Sequence, residues 1–269
     1  MKLCFSTLGC CDRELDSILS LARQYGISAL EIRGIGGVMD NGAIGAFSEA
    51  ERENTLSLFA ENGITPLVLG TSCSFHNADR MADVMAEGET CVGIAEAMGI
   101  KYIRVFGDRI GEKYGDSQGR LAEGIARLCA LSEKVTVLLE VHGDFNTVDA
   151  LRPVLERLEG IENFGLIWDI GHTHRSYGDR WREFYEFVRP YVRHVHVKDI
   201  SDSRQCLTMI GEGDVLIEEI ARGLLEDGYE GYFSLEWEKK WHPELSEIEP
   251  ALEAFLKVMS SDGLKELEN

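Results

Sequence analysis

The sequence lacks any apolar run that approaches the roughly 20 residues needed by a membrane-spanning helix. Its first residues, MKLCFSTLGCCDREL, contain one lysine and a short strand-like run. They have neither the apolar core nor the cleavage site of a secretory signal peptide. We therefore expect a cytoplasmic protein that does not associate with membranes.

Cysteine pairs with metal-binding or redox spacing are also missing. The seven cysteines stand at positions 4, 10, 11, 73, 91, 129 and 206, and no CxxC occurs among them. The count is odd, and a chain of 269 residues can bury a core without covalent staples, so we predict reduced thiols. The spacing gives no support to a zinc ribbon.

Basic residues are scarce relative to acidic ones. The chain has 27 Lys and Arg against 47 Asp and Glu, which is a formal net charge of −20. Nucleic-acid binding draws much of its affinity from Lys and Arg on phosphates. The balance therefore argues against a nucleic-acid partner.

What the sequence does contain is a regular alternation of short apolar runs and longer amphipathic segments. Runs rich in Val, Ile, Leu and Phe predict eight β-strands, over residues 2–7, 29–33, 65–69, 102–106, 136–141, 164–169, 192–198 and 232–237. Apolar residues at helical spacing predict eight helices, over residues 12–26, 48–63, 78–99, 117–133, 147–160, 179–188, 214–228 and 245–259.

This alternation decides the fold class that we predict. Eight strands and eight helices over about 250 residues are typical of a (β/α)8 TIM barrel. A doubly wound α/β sheet is the alternative, but such sheets usually have about five or six strands. No linker or break in composition divides the chain. We predict a single TIM barrel that occupies residues 1–269 as one domain.

Four of the predicted strands end in side chains that bind metals. Barrel enzymes place their chemistry at the carboxyl ends of the strands, and residues i and i+2 of a strand share a face. By that alternation Glu140, Asp169, His196 and Glu236 point inward from consecutive strands. Three carboxylates and one imidazole suit one divalent ion, Mn²⁺, Mg²⁺ or Co²⁺, with Zn²⁺ as a further candidate.

Other polar residues near these strand ends have ordinary structural interpretations. His194 has equal claims as a core histidine and as a ligand. Glu31 and Arg33 share a face and are expected to pair with each other. Glu238 is expected to meet Lys239, Lys240 or solvent. His76 and His174 are expected to be loop or structural residues.

At these residues the sequence resembles the xylose isomerase-like barrel superfamily of sugar isomerases and epimerases. The resemblance covers nearly the whole chain through its strand and helix order. Its specific part is Glu140 together with the stretches DIGH (169–172), HVKD (196–199), GEGD (211–214) and SLEWE (234–238). The GEGD and SLEWE stretches carry the resemblance to the end of the last strand.

The resemblance implies roles for individual residues. It implies that Glu140, Asp169, His196 and Glu236 hold one divalent metal. It further implies that Glu140 and Glu236 flank the substrate as catalytic acid and base, and that His172 contacts a substrate oxygen. The ketose 3-epimerases of the family carry Asn and an acid where this chain has Gly143 and Asn146, so the chain departs from that subgroup.

The chemistry expected from this resemblance is isomerisation or epimerisation of a sugar, sugar phosphate or keto-polyol through a metal-stabilised enediolate. We expect His172, His142 and Lys198 to contact the substrate, and Arg104 and Arg204 to hold a distal hydroxyl or phosphate. Apolar walls are expected from four aromatic residues, Phe106, Phe145, Trp168 and Trp241.

Three alternatives remain open at this point. A keto-inositol-type dehydratase begins with the same proton abstraction and differs only in the leaving group. A barrel endonuclease for abasic sites needs a three-metal cluster with further histidines, and only His76 comes from the first half of the chain. A non-catalytic sugar-binding protein would not need both Glu140 and Glu236. The expected partner is a small carbohydrate, and a homodimer is compatible with the pattern.

Overall fold

Eight parallel strands close into a barrel in the computed structural model, which describes residues 1–265. Residues 1–265 contain ten strands, of which eight form the barrel. In chain order the ten are β1 Lys2–Ser6, β2 Ala29–Ile32, β3 Thr65–Ser74, β4 Tyr102–Phe106, β5 Thr136–Glu140, β6 Phe164–Asp169, β7 Val192–Val197, β8 Asp199–Ser201, β9 Cys206–Thr208 and β10 Tyr232–Leu235. The barrel runs β1-β10-β7-β6-β5-β4-β3-β2 and closes through β1 and β2, while β8 and β9 form a separate antiparallel hairpin. The prediction of a (β/α)8 TIM barrel is confirmed.

Helices connect the strands and cover the outside of the barrel. They are α1 Leu15–Gln24, α2 Arg52–Glu61, α3 Met81–Met98, α4 Ser117–Cys129, α5 Val148–Arg157, α6 Ile170–Tyr177, α7 Trp181–Val188, α8 Ile217–Glu226, α9 Ile248–Met259 and α10 Asp262–Lys265. The eight predicted helices are all present. Helix α6 was not predicted, and it begins directly after β6. None of the helices in residues 1–265 is both long enough and apolar enough to cross a membrane.

The strands bury both of their faces, but with different neighbours. Outward residues such as Leu139, Trp168 and Val195 pack under the helices in the main core. A smaller cluster, which includes Cys4, Ala29, Val68, Leu138 and Ile167, fills the interior of the barrel. Parallel sheets covered by helices are apolar on both faces for this reason.

The interior is layered along the barrel axis. In four strands the residue two positions after an inward apolar one is charged: Glu31 follows Ala29, Arg104 follows Tyr102, Glu140 follows Leu138 and Asp169 follows Ile167. Because side chains alternate with period two, the same strands build an apolar floor and a charged layer above it. The functional site lies in that charged layer.

That the chain forms one domain over residues 1–269 remains a prediction, and its last four positions lie outside the described residues.

Candidate metal centre and active-site cavity

The four predicted metal ligands meet inside the barrel. Glu140, Asp169 and His196 lie at the ends of β5, β6 and β7, and Glu236 directly follows β10. One ligand atom from each side chain lies within 4.8 Å of those of the others, and all four residues are buried. His196 Nδ1 is 3.4 Å from Glu236 Oε2, 3.7 Å from Glu140 Oε1 and 3.9 Å from Asp169 Oδ2.

The chemistry of this donor set fits a divalent cation. Four of its buried atoms make no hydrogen bond: Glu140 Oε2, Asp169 Oδ2, His196 Nδ1 and Glu236 Oε2. A buried carboxylate oxygen or imidazole nitrogen that makes no hydrogen bond is costly, and a cation among the four atoms would coordinate all of them. Carboxylate oxygens with one imidazole nitrogen suit Mn²⁺, Mg²⁺, Co²⁺ or Zn²⁺.

Backbone contacts position Asp169 for this role. Its Oδ1 accepts a hydrogen bond from the His172 backbone N–H at 2.9 Å and so caps the first turn of α6. Its Oδ2 remains directed at the cluster. One carboxylate therefore begins a helix and faces the ligand cluster at the same time.

Lys198 supplies positive charge to the cluster. Its Nζ lies 2.8 Å from Asp169 Oδ2 and 2.5 Å from Glu236 Oε2, close enough for ion pairing but at angles that make no hydrogen bond. It also donates a hydrogen bond to Glu238 Oε1. The expectation that Glu238 meets Lys239, Lys240 or solvent was therefore wrong, because Glu238 turns inward with Glu236.

The charges in the cluster set its protonation. Burial and Glu236 both raise the pKa of Glu140, but Arg104 and His196 outweigh them and bring that pKa to about 2. Burial likewise opposes ionisation of Glu236, yet Lys198 and His196 hold its pKa well below the usual range. Both carboxylates are thus ionised at neutral pH and can accept a proton.

Glu31 belongs to the site although sequence reasoning assigned it elsewhere. Its Oε2 accepts hydrogen bonds from His196 Nε2 at 2.9 Å and His194 Nε2 at 3.3 Å. Since a carboxylate can only accept, the Nε2 of His196 carries a proton, and the other ring nitrogen, Nδ1, faces the carboxylates of the cluster. The expected pair of Glu31 with Arg33 was wrong, because the two histidines bind the Glu31 carboxylate and the Arg33 guanidinium donates to Met39 and Ser72 instead.

His142 and His172 form a second element of the site. Their rings meet edge to face with centroids 4.3 Å apart, and His142 lies against Phe106. Burial, Lys198 and His142 together lower the pKa of His172 to about 3. His172 is therefore neutral at physiological pH, and its buried Nε2 has no hydrogen-bond partner.

A cavity of about 220 Å³ opens onto His142 and onto Glu140 and Glu236 of the cluster, while His172 is not in its wall. Its walls are Leu8, Arg33, Arg104, Phe106, Glu140, His142, Lys198, Glu236, Glu238 and Trp241. A few polar and charged groups that converge in one cavity are typical of a small-molecule site.

A model of one protein family matches residues 19–258 of the chain, and that family is described as the xylose isomerase-like TIM barrel. The chain belongs to the xylose isomerase-like TIM barrel family. The match covers the strands from β2 to β10.

The relatives of this chain have names that state different activities. Inosose dehydratase of Clostridium perfringens is 28% identical over 139 residues, which are 44% of this chain and 46% of that protein. The match thus spans less than half the length of that curated relative. A crystal structure of a D-tagatose 3-epimerase-like protein has a TM-score of 0.77 at 19% identity, covering 100% of this chain and 98% of that one. The IOLI protein with a bound zinc atom has a TM-score of 0.77 at 19% identity and 99% coverage of both chains.

Of the two arginines predicted to hold a distal group of the substrate, one lies in the cavity wall and the other does not. Arg104 lies in the cavity wall, but its Nη1 is 3.1 Å from Glu140 Oε2, so it touches an expected catalytic residue rather than a distal group. Arg204 is not brought into the cavity wall. It lies between β8 and β9 and donates a hydrogen bond to Thr208 Oγ1 at 2.9 Å.

Two of the four aromatic residues that were expected to line the cavity lie elsewhere. Phe106 and Trp241 line the cavity. Trp168 instead stacks on Tyr185 under the helices, with centroids 5.2 Å apart, because it alternates with the inward-facing Asp169. Phe145 is fully buried and is not in the cavity wall.

The acidic end of the HVKD stretch has a structural task. The Asp199 carboxylate accepts hydrogen bonds from the backbone N–H groups of Ile200, Gly211, Gly213 and Val215 at 2.8–3.2 Å. It thereby holds the GEGD loop against the end of β7, and no part of its carboxylate reaches the cluster. The HVKD stretch thus contains a residue of the ligand cluster, His196, and a residue that supports a loop, Asp199.

Proposed function

We propose that the protein is a divalent-metal-dependent isomerase or epimerase of a sugar, sugar phosphate or keto-polyol. The observation that carries this proposal is that Glu140 and Glu236 belong to one ligand cluster and line one cavity. Two ionised carboxylates on a common cavity can remove a proton and return one to the same substrate. The enzymes named among its relatives are consistent with such chemistry.

In this proposal one of the two glutamates accepts the proton from the carbon next to the substrate carbonyl. Return of a proton to the neighbouring carbon gives an isomer, and return to the opposite face gives an epimer. Glu140, Asp169, His196 and Glu236 would hold a divalent cation, which would supply Lewis-acid polarisation of the carbonyl. Lys198 donates to the oxygen on which negative charge develops, and electrostatic stabilisation of this kind is often the largest catalytic contribution.

His172 is assigned to substrate orientation. Its low pKa keeps the ring neutral, so it does not add a positive charge beside Lys198. Its unpartnered Nε2 can donate a hydrogen bond to, or accept one from, a substrate hydroxyl. His142 packs against this ring and limits its rotation.

Dehydration is the second candidate, and the partial sequence match to inosose dehydratase favours it. The first step is the same abstraction of an α-proton. The electron pair then expels a hydroxide from the β-carbon, which leaves as water after an acid in the cavity protonates it. The two candidates therefore share every residue assigned above and differ only in the fate of the substrate.

The test starts from the metal content of protein purified without chelator. We expect one divalent ion per chain in the wild type, a reduced content in Asp169→Asn and Glu236→Gln, and an unchanged content in the control Glu123→Gln. Glu123 is an exposed residue of α4. Two or three ions per chain would instead favour the endonuclease interpretation, and no ion in a folded wild type would contradict the metal mechanism.

Substrate class is then screened in deuterium oxide against ketoses, ketose phosphates and keto-inositols. Incorporation of one deuteron into an isomeric product supports the isomerase or epimerase, whereas loss of water supports the dehydratase. Metal-loaded wild type that exchanges no proton in any of these compounds would contradict both.

A further inference from the structure

Arg33 is a buried cation on the wall of the active-site cavity. The residue immediately follows β2 and is only 6% exposed, yet it lines the cavity beside Phe106 and Arg104. Arginine is almost never buried to this degree unless a partner compensates its charge.

The hydrogen bonds of Arg33 go to neutral groups. Its Nη1 donates to the Met39 carbonyl at 3.2 Å, and its Nη2 donates to Ser72 Oγ at 2.8 Å. These contacts use two of the five N–H groups of a guanidinium. Within residues 1–265, no carboxylate lies within ion-pairing distance of this side chain.

The other two cations of the cavity wall are both paired. Arg104 lies 3.1 Å from Glu140, and Lys198 contacts Asp169, Glu236 and Glu238. Among the described residues, Arg33 is therefore the cation of this cavity wall that makes no ion pair, and Glu87, Glu140 and Glu236 act on its charge only from a longer distance.

A second arginine lies against Arg33 and increases the positive potential. A Cβ atom at Gly70 would lie 2.8 Å from Arg33 Cδ and 3.2 Å from Arg104 Nη2, so glycine at this position leaves room for both side chains. Burial and the neighbouring Arg104 lower the pKa of Arg33 to about 10. The guanidinium is still charged at neutral pH, but burial and the neighbouring Arg104 make the charged form less favourable than in water.

We propose that Arg33 binds an oxyanion substituent, a carboxylate or a phosphate, on the substrate of this cavity. This inference rests on the proposed function, since it assigns one end of the keto-sugar whose other end meets Glu140 and Glu236. The planar guanidinium matches both oxyanions, and the bonds to Met39 and Ser72 hold it in place before the ligand arrives. The substrate class is thus a sugar acid or a sugar phosphate rather than a neutral sugar.

The test compares three open-chain polyols that lack a carbonyl and cannot turn over. Sorbitol is neutral, gluconate carries a carboxylate, and sorbitol 6-phosphate carries a phosphate. Dissociation constants are measured by calorimetry on metal-loaded wild type, Arg33→Met, Arg33→Lys and the control Arg23→Met. Arg23 is an exposed residue of α1.

We expect at least one anionic polyol to bind the wild type about 10- to 100-fold more tightly than sorbitol, as for a hydrogen bond to a charged group. The preference should disappear in Arg33→Met, persist in part in Arg33→Lys and remain whole in Arg23→Met. Whichever of gluconate and sorbitol 6-phosphate shows the larger preference identifies the oxyanion. Metal content of each variant reports whether its fold is retained, and Arg33→Lys keeps the test decisive should Arg33→Met fail to fold.

Two results would overturn the inference. One is an equal affinity of the wild type for all three polyols. The other is a preference for anions that survives in Arg33→Met and is lost in Asp169→Asn, because the anion would then be bound by the metal. If the wild type holds metal and exchanges deuterium into neutral ketoses without any preference for anions, only this inference fails and the proposed function stands. An Arg33-dependent preference in protein that binds no metal supports the oxyanion site and contradicts the proposed chemistry instead.

Discussion

The second half of the barrel brings carboxylates to the cavity, whereas the first half brings arginines. Strands β5 to β10 supply Glu140, Asp169 and Glu236 with His196, and β2 and β4 supply Arg33 and Arg104. In the proposed function the acidic half carries the chemistry, and the basic half selects what enters. A barrel can divide these tasks because each strand ends independently at the same face.

Each half also contains one group of the opposite charge. Lys198 lies within the acidic cluster, and Glu31 reaches from β2 to the histidines of β7. Glu31 connects the two halves electrostatically, whereas Lys198 compensates the charge of the acidic cluster from within it. Changing either residue should therefore have larger effects than changing groups without such a buried partner.

Replacing the cation of the acidic half should have the largest effect. In Lys198→Met the carboxylates of Asp169 and Glu236 lose a buried partner, and breaking such a pair costs about 3–5 kcal/mol. We expect that loss of unfolding free energy in chelator, and a smaller loss with saturating Mn²⁺, because a bound cation neutralises the same carboxylates. Urea unfolding under both conditions measures it.

Lys240→Met is the matched control, since Lys240 is an exposed lysine that follows β10, the strand that leads into Glu236. It should unfold like the wild type in either buffer. An equal loss for Lys198→Met with and without metal would show that the ammonium supports the fold and not the charge balance of the cluster.

Replacing the acid of the basic half should weaken metal binding next. Glu31→Leu removes the acceptor that fixes the His196 ring, and the loss of such a supporting partner typically costs about 10- to 100-fold in metal affinity. Glu31→Gln keeps one acceptor oxygen and should recover part of that loss. Competition with a chelating dye measures the dissociation constant of the metal.

A purely structural role for Glu31 would give a different pattern. Both variants would lose unfolding free energy in chelator, while the metal affinity of the folded fraction would stay at the wild-type value.

The sequence predicted the acidic half far better than the basic half. Period-two alternation places Glu140, Asp169 and Glu236 on inward faces, so local pattern alone brings them together. Glu31 meets His194 across 163 residues of chain, and no local pattern shows which inward residues of distant strands are in contact. Helix α6 was missed because Asp169 both ends a strand and caps the helix that follows.

The same limit applies to the cations. The contact of Lys198 and Arg104 with substrate stays a prediction, and both lie in the cavity wall, where each is also paired with a carboxylate. Arg204 lies outside the cavity wall because the hairpin β8–β9, which was not predicted, holds it through Thr208. Arg33 was missed because its partners, Met39 and Ser72, belong to loops whose paths the sequence pattern does not specify.

Crowding the basic half should have a moderate effect. Gly70→Ala places a methyl group 2.8 Å from Arg33 Cδ, so the two arginines must separate by a few tenths of an ångström. We expect a loss of about 1–2 kcal/mol in unfolding free energy, within the range for overpacking, and a reduced preference for anionic polyols. Metal content should not change, because Gly70 contacts no ligand. A variant with lower metal content would show that the halves are coupled through the backbone.

The smallest effect that we expect concerns the reactivity of the thiols, which are buried in the basic half. Nearby arginines lower the pKa of a thiol, and Arg33 acts in that direction on Cys91. Burial dominates, however, and raises the pKa of Cys91 to about 12, and burial also raises the pKa of Cys73. Of the seven cysteines, only Cys206, in the hairpin of the other half, is exposed.

We therefore expect one fast-reacting thiol in the native protein and seven after denaturation, by titration with a chromogenic disulfide at pH 8. Cys206→Ser should abolish the fast reaction and change the unfolding free energy by less than about 0.5 kcal/mol, as for most surface substitutions. A fast thiol that persists in Cys206→Ser would mean that the arginines activate a buried cysteine. The positive charge of Arg33 would then act on a thiol inside the protein, and the residue would not need an oxyanion ligand.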